Sequence, residues 1–196
     1  MSQTHKDNRV ESAKKLLRKY GKEVRPGRQW ARVVNTDFSA KIKLNPTHNT
    51  KNDIVWSTSR EEAGDLLECK EEKFSLGVMI WGGISFQGLV PPQAPLFVDE
   101  MCKKYDSTSK TVKANTYAQM IKNEVRNGVD RVFPNGDAIF QDDGASNHRL
   151  QVSLEAVSST FSSRVSPKDQ ASKMADVWPI ENIWSIVMKI LLKIPF

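Results

Sequence analysis

Four carboxylates in this chain stand where divalent-cation chemistry would need them. Asp142 and Asp143 close the apolar run in VFPNGDAIFQDDGASNH, residues 132–148. Glu181 sits in DVWPIENIW, residues 176–184, where Pro179 marks a first helical turn. Asp37 ends the strand-like WARVVNTD, and 37 residues lie between Asp143 and Glu181. Mg²⁺ and Mn²⁺ take oxygen ligands, few of them from protein, and leave room for water and phosphate. Two such ions about 3.5–4 Å apart can activate a water or a 3′-hydroxyl and stabilise a leaving oxygen. Such a site needs about three carboxylates converging from different elements. Successive side chains on a regular strand face opposite ways, so only one of Asp142 and Asp143 can face it. The residues alone do not choose between them. Each also has an ordinary role, the aspartates as turn formers and Glu181 as a complement to the helix dipole. His148, Trp178 and Trp184 fit structural roles better than catalytic or base-stacking ones.

The elements that must position these residues can be read from periodicity. Val10, Ala13, Leu16, Leu17 and Tyr20 predict a helix over 9–21, stopped by Gly21. Short strands are expected at 30–37, 39–44 and 54–58, with a turn-rich loop at 45–53. Residues 60–73 are charged and read as a surface loop or short helix. The 75–92 stretch is the most strand-like, kinked at Gly82-Gly83, and 96–100 reads as a further strand. Helices are expected at 115–133, with Asn115 or Thr116 as N-cap, and at 149–161. Between them, 138–143 is a buried strand, and 162–176 holds at most one short strand. A last helix runs from about Pro179 to Ile194. Its expected apolar face is Ile180, Ile183, Trp184, Val187, Met188 and Leu191. This order predicts an α/β fold, a mixed sheet flanked by helices.

With 196 residues the chain can bury a core of one domain. Its 39% hydrophobic and 27% charged content is that of an ordinary globular protein. No run reaches the roughly 18 apolar residues of a membrane span, and no signal-peptide core opens the chain. Cys69 and Cys102 lie too far apart for a CxxC site, and free thiols suit a reducing compartment. The net charge of +6 is unevenly placed: residues 1–32 carry ten Lys/Arg against three Asp/Glu, the rest 19 against 20. A basic N-terminal segment of this kind suits a polyanion such as DNA, and equally suits a solvated amphipathic helix.

Three strings in order, VMIWGGIS (78–85), FQDDGASNH (140–148) and WPIENIW (178–184), resemble the catalytic domain of mariner-superfamily (Tc/mariner) cut-and-paste transposases. The resemblance covers roughly residues 10–194. In phrases like FQQDNAPCH the family's second catalytic aspartate matches Asp143, and the family's histidine matches His148. The glutamate of PIEN matches Glu181. A phrase like W-x-x-V-x-x-(S/T)-D-E-S-x-F places the first aspartate at Asp37. Phe38 then stands where the family usually has an acidic residue, and FSAKIKL carries one residue more.

The resemblance implies an RNase H-like fold, with Asp37, Asp143 and Glu181 as catalytic residues and metal ligands. It implies two Mg²⁺ ions, for which Mn²⁺ can substitute, and DNA as partner, with a second copy of the chain or a full-length transposase as protein partner. It implies strand cleavage at transposon ends followed by strand transfer to target DNA, in the nucleus. Neither a membrane nor a small-molecule substrate is expected. The expected organisation is a basic linker helix at 1–29 and a catalytic domain at 30–196, truncated at its C-terminus and without the family's N-terminal helix-turn-helix modules. The alternative is an inactive transposon-derived remnant that binds nucleic acid or a partner protein.

Overall fold

The computed structural model describes residues 1–21, 27–43, 56–63, 77–106, 111–143, 145–171 and 174–191. Helix α1 (Gln3–Tyr20) begins earlier than its apolar spacing predicts, because the Ser2 side chain accepts from the His5 N–H and caps it. Gly21, at φ 87°, ends it, and its N–H returns to the Leu17 carbonyl at 2.9 Å. The buried face is Ser12, Leu16 and Tyr20, one residue per turn, while Val10 and Leu17 stay exposed.

A six-stranded sheet forms the centre. Its strands are β1 (Val33–Phe38), β4 (Ile80–Ser85), β5 (Gly88–Val90), β6 (Leu96–Phe97), β7 (Ile139–Gln141) and β8 (Ser163–Arg164). The order is β5-β4-β1-β7-β8, with β6 also on β4. β4 runs antiparallel to β1, whereas β1, β7 and β8 are parallel. A separate pair joins β2 (Ile42–Lys43) to β3 (Gly77–Val78). The mixed sheet flanked by helices is the expected architecture.

Strand alternation distributes the core to both faces of the sheet. Val34 and Phe140 join the larger cluster, with Trp81, Tyr117, Ile121, Val129 and Phe133. Its helices are α3 (Val98–Tyr105), α4 (Ala114–Met120), a π-helical turn (Ile121–Val125), α5 (Arg126–Val132) and α6 (Gln151–Thr160). Val33 and Ile139 point the other way, to Leu16 and Tyr20 of α1 and to Val165, Met174 and Trp178. Helix α7 (Pro179–Leu191) lies against β1 and β4.

Several expected elements differ. The 96–100 strand stops at Phe97, because Val98, Met101 and Cys102 have helical spacing and are buried as part of α3. Helix α4 starts at Ala114 with Lys113 in the cap position, before the expected Asn115 or Thr116, and Lys113 makes no side-chain cap bond. Of the 39–44 strand, residues 39–41 are not in a strand, Ile42–Lys43 are, and Leu44 lies outside the described residues. Arg60–Ala63 forms a short helix, α2, one of the two forms expected for 60–73. Trp56, Ser57 and Thr58 are not in a strand, and Trp56 is exposed. On α7 only Ile180 is buried, while Ile183 is exposed. Ile54 and Val55 of the expected 54–58 strand, the 45–53 loop, Cys69 and the end of the last helix lie outside the described residues. Among the described residues no helix is long and apolar enough to cross a membrane.

Candidate active site

Alternation along β1 and β7 continues past their apolar residues and sorts the polar ones. Val33, Asn35 and Asp37 share a face of β1, as do Ile139 and Gln141 on β7. Asp143 follows just beyond β7. Asn35 pairs with Gln141 and Asp37 with Gly82 in the sheet register. Helix α7 crosses this face and brings Glu181 in its first turn. Asp37, Asp143 and Glu181 therefore line one cavity of about 320 Å³, with Arg149, Gln170, Met174 and Trp178 on its walls.

Asp142 turns the other way. It is 1% exposed and receives a two-pronged bond from Arg164, whose Nη2 lies 2.7 Å from both carboxylate oxygens. Asp143 is exposed and caps its own turn, its Oδ1 accepting from the Ala145 N–H at 2.9 Å. His148 bridges the two aspartates: its Nδ1 lies 3.2 Å from Asp142 Oδ2 and 3.0 Å from Asp143 Oδ1. Burial thus separates Asp142 from Asp143. Asp142 is committed to an internal ion pair, and Asp143 faces the cavity.

The electrostatics follow from this arrangement. Burial pushes the Asp37 carboxyl up to about 7, and the charges of Glu181 and Asp143 add to the effect. A bond from Trp184 Nε1 to Asp37 Oδ2, at 3.0 Å, works against it. Contact with His148 holds Asp143 below the usual carboxylate range. Burial alone would lower the His148 pKa, but Asp142 and Asp143 together raise it to about 9. Phe38 fills its position with a ring stacked on His148, 6.0 Å between centroids, and Tyr117 stacks closer at 4.4 Å. An aromatic side chain at this position shields the imidazole from water.

The donor set fits hard divalent cations. Three carboxylates from separate elements repel one another across a cavity with room for ions and several waters, each taking about 30 Å³. They stand around the cavity instead of closing on a point. Among the described residues no three of His, Cys, Asp and Glu are gathered tightly enough to hold an ion as they are.

No protein-family model matches the chain, and no curated protein matches it. Solved structures do. The Mos1 transposase paired-end complex with left transposon end superposes with a TM-score of 0.64 at 17% identity, covering 97% of this chain and 50% of that one. The fold is that of the Mos1 transposase catalytic domain. That domain, solved with Raltegravir and Mg, gives a TM-score of 0.63 at 14% identity over 100% of this chain and 77% of that one. The Mos1 mariner paired-end complex with Mn gives 0.62 at 16%, over 98% and 50%. This chain thus spans about half the length of the transposases in the Mos1 DNA complexes.

On the Mos1-like fold several site residues appear that sequence reading missed. Arg164 gave no signal, being one cation in a short polar stretch. Asn35 and Gln141 did carry one: each is an amide that directly follows two apolar residues of a strand. Trp184 was expected to pack and does, but its N–H also reaches Asp37.

Proposed function

We propose that this chain is a DDE-type transposase catalytic domain of the mariner superfamily, cutting and joining DNA strands with divalent metal. The observation that carries this reading is the convergence of Asp37, Asp143 and Glu181, from two strand ends and a helix start, on one cavity. The Mos1-like fold supports it.

Asp37, Asp143 and Glu181 would hold two Mg²⁺ or Mn²⁺ ions. When bound, these supply Lewis acidity at the phosphoryl oxygens and an activated water or 3′-hydroxyl. The chain's residues do the rest. Asp37 gives up its proton as the site loads. The Trp184 N–H fixes one Asp37 oxygen, and His148 fixes one of Asp143. Arg149, on the cavity wall, would set a positive charge beside a phosphate bound in the cavity. Water attacks in the cleavage step, and the freed 3′-hydroxyl attacks target DNA in the joining step. No covalent enzyme intermediate forms. On this reading the partner is DNA, the chain works with a second copy or a full-length transposase, and it acts in the nucleus.

One observation favours a second reading, a remnant that binds DNA without cutting it: the carboxylates are not gathered into a closed ligand cluster. Supercoiled DNA with Mn²⁺ separates the two. The catalytic reading expects nicking by the wild type and none by Asp143→Asn or Glu181→Gln. Equal behaviour of all three proteins sinks that reading and leaves the binding one.

A further inference from the structure

The buried polar groups between β1, β7 and α7 form a continuous chain that the chemistry above does not use. Asn35 is 4% exposed and Gln141 1%. The Asn35 Oδ1 accepts the Ile180 backbone N–H at 2.9 Å, and its Nδ2 donates to Gln141 Oε1. The Gln141 Nε2 donates onward to Gln170 Oε1 at 2.8 Å and to the Asp142 carbonyl at 3.0 Å. Gln170 closes the ring, its Nε2 donating to the same carbonyl at 3.2 Å.

A helix start leaves its first N–H groups without partners, and a local Ser, Thr, Asp or Asn normally supplies one. Trp178, just before Pro179, has no side-chain oxygen. The cap for α7 comes instead from Asn35, 145 positions away. Each bonded group has a carboxylate close by in the chain. Ile180 precedes Glu181, Asn35 is two residues before Asp37, and Gln141 is two before Asp143.

We infer that Asn35, anchored by Gln141, is a positioning residue that sets Glu181 against Asp37 and Asp143 by capping α7 from within the sheet. The inference rests on the metal-dependent reading of the site, and it deepens that reading by naming what aligns the donor set. Unpaired, the Ile180 N–H and the Gln141 Oε1 would be buried polar groups, so the helix start would shift to find water.

The test compares wild type, Asn35→Ala and Glu181→Gln by backbone hydrogen exchange at Ile180, Mn²⁺ calorimetry and thermal melting. Asn35→Ala is expected to speed exchange at Ile180 and weaken Mn²⁺ binding, each by roughly tenfold or more, while still melting cooperatively. Glu181→Gln is expected to weaken Mn²⁺ binding and leave Ile180 protected. If Asn35→Ala does not fold, Asn35→Thr replaces it, because Thr keeps strand propensity but is too short to reach the Ile180 N–H. Faster exchange with unchanged Mn²⁺ affinity reduces Asn35 to a purely structural cap and overturns the inference. Unchanged exchange overturns it as well. A wild type that takes up no Mn²⁺ sinks the metal reading itself and with it the positioning role, while the exchange arm still shows whether the cap exists.

Discussion

Near neutral pH the Asp37 carboxyl, pushed up to about 7, is divided between its protonated and ionised forms. Its folded-state pKa lies above the value in an unfolded chain. The stabilisation it gives is therefore complete below about pH 4 and is lost as pH rises through about 7. In metal-free buffer Asp37→Asn should flatten that part of the melting-temperature profile between about pH 4 and 7. Metal binding has the opposite dependence, since the cation competes with the proton. Mn²⁺ affinity should rise from pH 6 to pH 8, with proton release seen as a binding heat that changes with buffer ionisation enthalpy. A pH-independent affinity would remove Asp37 from the ligand set. Trp184→Phe, which deletes the donor to Asp37 Oδ2, should move the Asp37 titration upward, as read by carboxyl NMR.

At the level of elements, close approaches and one ion pair set the geometry. Helix α5 lies so near the Val90-Pro91 segment that a Cβ at Gly128 would sit 2.6 Å from Pro91 Cα. Gly128→Ala should therefore destabilise by about 1–3 kcal/mol in urea unfolding, despite the better helix propensity of alanine. A gain in stability would show that α5 can move. Arg164 fastens β8 to the end of β7 through the buried Asp142. Among the described residues, Arg164→Ala leaves that carboxylate inside with His148 as its remaining charged partner. The expected loss is about 3–5 kcal/mol, far more than an exposed ion pair would cost.

Across the whole molecule, α1 is both basic and docked. Leu16 and Tyr20 complete the second core cluster, the Ser12 hydroxyl donates to the Asp169 carbonyl, and Arg9 pairs with Asp176 at 2.6 Å. Leu16→Ala should cost about 2–4 kcal/mol, which a free linker helix would not show. The exposed lysines Lys6, Lys14 and Lys15 remain available to phosphate. Retention of nonspecific DNA should fall steeply with salt, and each lysine changed to glutamine should flatten the log–log slope by about 0.9 if it neutralises a phosphate. An unchanged slope would place the DNA on another face.

The sequence by itself determined the mixed α/β sheet, the strands near whose ends Asp37 and Asp143 stand, and the helix start that carries Glu181, while the strands themselves run Val33–Phe38 and Ile139–Gln141 where 30–37 and 138–143 were expected. These are local matters: apolar period, turn residues, and Pro179 at a first helical turn. The resemblance in FQDD and PIEN added which residues to watch. Periodicity erred where burial depends on what lies opposite. Val98 continues into a helix because Met101 and Cys102 find a core, and the buried stripe of α1 runs through Ser12 because its neighbour offers a carbonyl. Only the tertiary structure turned Asp142 inward and Asp143 outward, since Arg164 and His148 come from other parts of the chain. It alone capped α7 with an amide from β1, because a side-chain cap can come from anywhere the fold brings an oxygen to a helix's first turn.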